Sequence, residues 1–272
     1  MEIKISGSIV LYKNDRSVSK TIADFLNTSL PVKLFLVDNS PTDKLKAGLA
    51  NFIEDERVEY IFNNANIGFG AAHNIAIRKI YNFSGYHLVL NPDVSFGTEV
   101  LESLFKYCEK NNDVGLVLPK VVYPDGQLQY VCKLLPAPAD LIFRRFLPEK
   151  FARKRIERFE MRSMGYDREI EVPYLSGCFM FLRTEALKKV GLFDERFFMY
   201  PEDIDLTRRI YKEYKTMFYP NVKIVHTHGR ESYKSASLLY IHITNMIKYF
   251  NKWGWFSDKE RKVINKRILS QY

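Results

Sequence analysis

Cysteine is scarce: the 272-residue chain has three, Cys108, Cys132 and Cys178, far apart and forming no Cys-x-x-Cys pair. A disulfide framework and a thiolate zinc site are not suggested, and a reducing cytosol is the expected setting. No apolar run approaches the roughly 20 residues needed to cross a bilayer. The opening MEIKISGSIVLYKND lacks a cationic stretch followed by a long apolar one, so no signal peptide is expected. Internal repeats and low-complexity linkers are missing too, and no domain boundary shows before about residue 235. Acidic residues are in the minority: 32 Asp and Glu face 41 Lys and Arg, a formal charge of +9. That excess bears on partners rather than on fold, and it suits nucleic acid, an anionic membrane surface or phosphorylated small molecules.

What the chain does contain, beside 46% hydrophobic residues, is an alternation of strand-like and helix-like segments. Ile5 to Tyr12 reads as a buried strand, followed by a helix near Ser17 to Asn27. Leu34 to Val37 and Val58 to Phe62 read as strands, Gly70 to Tyr81 as a helix, and Tyr86 to Leu90 as a fourth strand. The pattern predicts an α/β fold with a doubly wound, mostly parallel central sheet and helices on both faces. Ligands of such sheets sit beyond the carboxyl ends of the strands, where Asp38-Asn39-Ser40-Pro41 and Asn91-Pro92-Asp93 both fall. Later segments are less regular. Gly115 to Val122 and Gln127 to Val131 are expected as strands around a turn, Val172 to Leu182 as extended, and Met217 to His226 as a strand. Glu185 to Val190, Ile204 to Tyr214, the basic stretch Phe143 to Arg162 and the chain from Ser237 onward are expected to contain helices.

Four motifs carry chemistry-bearing residues. Asp93, closing a strand, suits a divalent cation that bridges phosphates, although an Asx turn accounts for the same residues. Glu202, Asp203 and Asp205 cluster at a helix start behind Phe197-Phe198-Met199-Tyr200. Acids there are favoured by the helix dipole, and a carboxylate in a half-apolar setting can also serve as a general base. His226 and His228 fall on one face of a strand by alternation, as metal ligands or as ordinary hydrogen-bonded histidines. Asn66-Ile67-Gly68-Phe69-Gly70-Ala71-Ala72-His73-Asn74 resembles a dinucleotide fingerprint only weakly, because His73 stands at the third glycine position.

The ordered series SIVLY, LFLVDNS, NNANIGFGAAHNIAI, LVLNPDV, LSGCFMFLRTEALKKVGLFDERFFMYPEDIDL and HTHGRES resembles the family 2 glycosyltransferases. It is closest in pattern to the rhamnosyltransferase-like branch of bacterial polysaccharide assembly, from about Ser8 to Ser232. That resemblance implies a GT-A fold: a catalytic unit over 1–235, with a nucleotide-binding half to about 115, an acceptor-binding half beyond it, and a helical basic extension over 236–272. It implies that Asp38 meets the nucleotide, with Ser8, Val10 and Tyr12 supplying neighbouring contacts, and that Asn66, Gly68, Gly70, Asn74, Asn91 and Gly177 border the pocket. It implies Mg2+ or Mn2+ on Asp93, assisted by His226 or His228, since Asn91 stands where many members have an acid. Asp203, with Glu202 as the alternative, would deprotonate the acceptor in an inverting displacement on a UDP or dTDP sugar. The implied acceptor is a glycan or a polyprenyl-diphosphate-linked sugar of cell-surface polysaccharide such as lipopolysaccharide O-antigen.

Two basic, aromatic segments remain. Arg144, Arg145, Lys150, Arg153, Lys154, Arg155 and Arg158 lie in the first, and Lys248, Lys252, Lys259, Arg261, Lys262, Lys266 and Arg267 in the second, near Trp253, Trp255 and Phe256. They suit an anionic membrane interface, and equally a solvated helix face packed on the domain. The expected location is cytoplasmic, peripheral on the inner face of the membrane. Nucleic acid is not expected, since no recognised motif accompanies the charge. Two other activities compete: sugar-phosphate nucleotidyltransfer, which lacks its glycine- and lysine-rich loop at Tyr12-Lys13-Asn14-Asp15, and a non-catalytic membrane-surface scaffold, which leaves the clustered acids unexplained.

Overall fold

The structure, a computed structural model, describes residues 2–140, 149–227 and 236–271, with the side chains of residues 149–152 also outside the description. Its main sheet runs β3 (Val58–Phe62), β2 (Val32–Asp38), β1 (Ile3–Leu11), β4 (Ser84–Leu90), β10 (Phe179–Arg183), β6 (Val114–Val122), β11 (Lys215–His226) and β5 (Val94–Phe96). A short β8 (Ile170–Glu171) joins β11, and β7 (Cys132–Lys133) pairs separately with β9 (Tyr174–Leu175). The pairs β3–β2, β2–β1, β1–β4 and β6–β11 are parallel, whereas β10, β5 and β8 join antiparallel.

Alternation along β2 explains why helices cover both faces. Leu34 and Leu36 enter the larger core with Ile22 and Phe25 of the helix Val18–Leu26. Phe35 and Val37 point the other way, onto Ala72, Ala76 and Ile80 of the helix Phe69–Ile80. Spacing of four residues puts the two alanines on one face of that helix and lets its backbone approach the sheet closely. Register then aligns the strand ends. Leu11 is opposite Asp38, Asp38 opposite Phe62, Ile9 opposite Leu90, and Leu90 opposite Phe179. Because β10 runs antiparallel, its start meets the end of β4, which brings Gly177 and Cys178 to the same sheet edge as Asn91-Pro92-Asp93.

Some expectations are corrected. Gln127 to Val131 is not a strand: only the isolated bridge Val122–Leu128 forms there. Val172 to Leu182 is broken between β9 and β10 by Ser176 and Gly177. The expected helix Ile204–Tyr214 spans Glu202–Tyr211. β5 and the amphipathic helix Glu99–Lys110 were not expected. Of the stretch Phe143 to Arg162, the helix Glu149–Phe159 is described, while Arg144 and Arg145, and the side chain of Lys150, lie outside the described residues.

The C-terminal extension is bound tightly to the rest. Met246, Tyr249, Phe250, Ile264 and Ile268 belong to the main core. Arg208, 1% exposed, donates from both terminal nitrogens to Asp258 at 2.7 and 2.8 Å and lies over the Trp253 ring at 4.0 Å. Asp258 also caps the helix Lys259–Leu269 by accepting from the Arg261 N–H. Asp258→Ala leaves a buried guanidinium short of its main counter-charge, and it should lower unfolding free energy by about 3–5 kcal/mol. Denaturant titration checks this; a loss below about 1 kcal/mol would show that Glu260 alone suffices.

Candidate active site

At the β4 end, Asn91 N–H donates to the Cys178 carbonyl at 2.9 Å. The chain then turns through Pro92 and Asp93 into β5, which pairs with the end of β11 so that Val94 lies opposite His226. Thr227 N–H donates to the Asp93 carbonyl, and His226 Nε2 stands 3.4 Å from Asp93 Oδ1. The far side of the imidazole is held by Gln129, whose Oε1 is 3.1 Å from Nδ1 and whose Nε2 donates to the His226 carbonyl at 2.6 Å. Asn91 Nδ2 is 3.5 Å from Nε2. Burial works against the charged imidazole, but Cys178 and Asp93 favour it and together raise its pKa to about 10. Asp93 keeps 38% of its side chain exposed, so a carboxylate oxygen faces solvent beside a fixed ring nitrogen. Among the described residues no three His, Cys, Asp or Glu side chains gather as a metal cluster, and His228 lies outside those residues.

The second group of acids heads the helix Glu202–Tyr211. Asp203 is partly exposed, and its Oδ2 accepts from Gly177 N–H at 2.9 Å. A Cβ at Gly177 would stand 3.1 Å from the Asp203 Cβ, so glycine lets the loop reach the carboxylate. Burial raises the Asp203 pKa, with the charge of Lys133 and the Gly177 N–H opposing, and the net value lies above the usual carboxylate range. Glu202 differs: it is 4% exposed, and its Oε2 has no hydrogen-bond partner among the described residues. Burial first, then the charge of Asp203, push its pKa up strongly, which favours a neutral acid at pH 7.

This has a stability consequence. The folded-state pKa of Glu202 is raised above its unfolded value, so the contribution is fully present below about 4.5 and is lost as pH rises toward about 8. Glu202→Gln cannot ionise. It should match the parent near pH 4 and exceed its unfolding free energy by up to about 4 kcal/mol near pH 8. Equal pH slopes for the two proteins would contradict a protonated Glu202.

Asp205, the third acid, is fully buried and structural. It accepts from Trp253 Nε1, from Lys252 Nζ and from Arg209 Nε, tying the C-terminal helices to the helix that carries Asp203. Lys252 also bonds Asp194, Lys248 donates to the Arg196 carbonyl, Arg261 is buried against backbone carbonyls, and Arg267 bonds Glu171 and Tyr211. Several cations of the basic tail therefore bond the rest of the protein, although only Lys252 and Arg261 of these are withdrawn from solvent.

The nucleotide-side candidates divide. Tyr12 and Asn66 are exposed near the sheet edge, and Lys13 N–H donates to Ser40 Oγ, joining the loops after β1 and β2. Asp38 is fully buried; it accepts from Ser40 N–H at 2.8 Å and from the Tyr60 hydroxyl at 2.5 Å. Val10 is half-buried against the smaller core. Ser8 lies inside the fold, its Oγ 2.6 Å from His73 Nδ1 and 2.8 Å from His87 Nε2, where burial holds both imidazoles neutral. Asn74 is likewise internal, exchanging hydrogen bonds with the Phe193 backbone and donating to Glu195.

Gly68 and Gly70 serve the approach of two chain segments. Gly68 has φ of 91°, and a Cβ there would stand 2.5 Å from the Phe198 carbonyl oxygen; at Gly70 it would meet Phe193 at 2.9 Å. The loop leading to Asp203 thus packs directly on the glycine motif, with Phe69 N–H donating to the Phe198 carbonyl. Gln129, Lys133, Tyr60 and Cys178 were not singled out from sequence. Only their neighbours in space show their relation to the site.

Comparison with known proteins agrees with this arrangement. N-acetylglucosaminyl-diphospho-decaprenol L-rhamnosyltransferase of Mycobacterium tuberculosis is 28% identical over 220 residues, covering 74% of this chain and 68% of that protein. Rhamnosyltransferase WbbL of Escherichia coli is 24% identical over 208 residues, covering 74% and 75%. Among solved structures, mannosyltransferase PcManGT of Pyrobaculum calidifontis, in complex with GDP-Man and Mn2+, superposes with TM-score 0.63 at 14% identity, over 93% of this chain and 64% of that one. GalNAc-T7 with UDP, GalNAc and Mn2+ gives 0.61 at 15% identity, over 83% of this chain and 44% of that one. The fold is accordingly GT-A-like. The sequence model of Glycosyl transferase family 2 matches residues 8–191, and with the acids at the sheet edge this makes the chain a member of glycosyltransferase family 2.

Proposed function

We propose that the chain is an inverting, metal-dependent hexosyltransferase. It moves a sugar from a UDP or dTDP sugar to a hydroxyl of a lipid-linked or polysaccharide acceptor in cell-surface glycan synthesis. The observation that carries this reading is the contrast between adjacent acids: Asp203, partly exposed and held by Gly177 N–H, beside a buried Glu202 whose Oε2 has no hydrogen-bond partner among the described residues. Asp203 then acts as general base. It takes the proton of the acceptor hydroxyl as the oxygen attacks the anomeric carbon and the bond to the diphosphate breaks. A single displacement inverts that carbon and needs no covalent intermediate.

Asp93 and His226 would hold Mg2+ or Mn2+, the cation taking the place of the Nε2 proton: an exposed carboxylate stands beside an imidazole nitrogen whose ring is fixed from behind by Gln129. A bound cation supplies charge that offsets the negative charge of the leaving diphosphate. Tyr12 and Asn66 offer exposed contacts for the nucleotide, Asp38 orders the loop beneath them, and Asn91 and Gly177 fix the turns that carry the two acids. A polyprenyl-diphosphate-linked acceptor is supported by the name of the mycobacterial relative. No described helix is long and apolar enough to cross a membrane. We place the protein in the cytoplasm, peripheral on the inner membrane face, with residues 1–235 as catalytic unit and 236–272 as its extension. Incubation with a panel of nucleotide sugars, reading released nucleoside diphosphate, tests the reading. Slow hydrolysis of one donor is expected; silence across UDP and dTDP sugars, with and without lipid-linked acceptors, would count against it.

A further inference from the structure

On the surface built by the helices Glu149–Phe159 and Lys259–Leu269 lies a groove of about 560 Å3. Arg155, Arg158, Lys262 and Lys266 line it, with Asp140 as the single acid. Asp140 is already engaged: Oδ1 accepts from Arg155 Nε at 2.6 Å, and Oδ2 accepts from Ala137 N–H at 2.7 Å. Asn265 closes the floor by bonding both the N–H and the carbonyl of Leu135. Arg158, Lys262 and Lys266 are exposed, and their side chains have no ion-pair or hydrogen-bond partner among the described residues. That sets them apart from Lys252, Arg261 and Arg267 of the same extension, each held by the protein.

Beside the paired Arg155, the groove thus presents one guanidinium and two ammonium groups, Arg158, Lys262 and Lys266, suited to phosphate oxygens. Lys259, Lys262, Val263 and Lys266 recur at helical spacing on one outward face, and Val263 is 66% exposed. Phe256, 77% exposed, precedes the same helix. Cations over a pocket beside exposed apolar side chains match a headgroup layer, where phosphate lies above hydrocarbon. We propose that this groove binds the phosphate headgroup of anionic lipid and seats the protein on a membrane. The inference deepens the peripheral location given above and is independent of the transfer chemistry.

The test is co-sedimentation of the full chain with phosphatidylcholine vesicles containing 30% phosphatidylglycerol, against phosphatidylcholine alone. Binding is expected only to the anionic vesicles and should fall with salt. Near an anionic surface each cation is worth about fivefold, so Arg158→Ala/Lys262→Ala/Lys266→Ala should bind roughly a hundredfold more weakly. Donor hydrolysis by this variant should be unchanged, which separates headgroup binding from catalysis. Lys106→Ala/Lys110→Ala/Lys223→Ala, with the same charge loss on exposed positions elsewhere, should retain affinity. An equal loss in that control would reduce the effect to net charge and overturn the proposal. Saturable binding of inorganic phosphate at the groove without vesicle binding would also overturn it, assigning the site to a free anion.

Discussion

Asp203→Asn is expected to lower kcat by about 10²–10⁴-fold while donor affinity stays within a few-fold. The side chain keeps its size, and its amide oxygen can still accept from Gly177 N–H, but it can no longer take the acceptor proton. One of the bonds now made to Gly177 and Ile204 is lost, a stability cost of about 1 kcal/mol. Near-parental unfolding would therefore show that the loss of rate is chemical. Glu202→Gln is the matched control. Its carboxyl is buried with a pKa raised toward the neutral form, so activity should remain within a few-fold of the parent. If Glu202→Gln lost the rate and Asp203→Asn kept it, the base would be Glu202. The pH profile adds a second reading. With Asp203 as the proposed base its deprotonated form is the active one, and burial raises its pKa, so the acid limb of kcat/KM should fall above the ordinary carboxylate range.

The second large effect concerns the cation. Asp93→Ala removes the one exposed carboxylate beside His226, and His226→Ala removes the oriented nitrogen. Either should weaken nucleoside diphosphate binding by ten- to a hundredfold, the scale on which even outer partners of metal ligands matter. Gln129→Ala should have a smaller effect in the same direction, since Gln129 acts by fixing the imidazole. Chelator should abolish turnover of the parent, and Mn2+ or Mg2+ should restore it. With Asp93 and His226 as the two proposed protein ligands, metal and diphosphate affinities should rise together, visible as tighter Mn2+ binding when nucleoside diphosphate is present. Unaltered turnover in chelator, with Asp93→Ala at parental activity, would remove the cation from the mechanism.

Much of this site was legible because strand ends announce themselves. Asp38 and Asp93 follow apolar runs and precede turn formers, and parallel topology places such residues on one edge. The helix start at Glu202 was legible through Pro201 and the acids that follow. Alternation could not reveal that Ser8 points into a network with His73 and His87, since a serine in a buried strand is compatible with either face. Gly68 and Gly70 looked like nucleotide-approach glycines, yet their constraint comes from Phe198 and Phe193, remote in sequence. β5 is three residues long, too short for periodicity, although its pairing with β11 brings His226 to Asp93. Charge counting also left the tail open between a membrane interface and a face packed on the domain. Sequence gives the lysines and arginines but not their partners, and Asp194, Asp205 and Glu171 hold several of them.

The proposed reaction is a single displacement at the anomeric carbon, with Asp203 as base. Its most direct test is the anomeric configuration of the first-formed product, read by proton NMR during turnover of the donor that the parent enzyme consumes. The account predicts a linkage opposite in configuration to the donor, α giving β or β giving α. Retained configuration, formed at the same rate as nucleoside diphosphate is released, would contradict it.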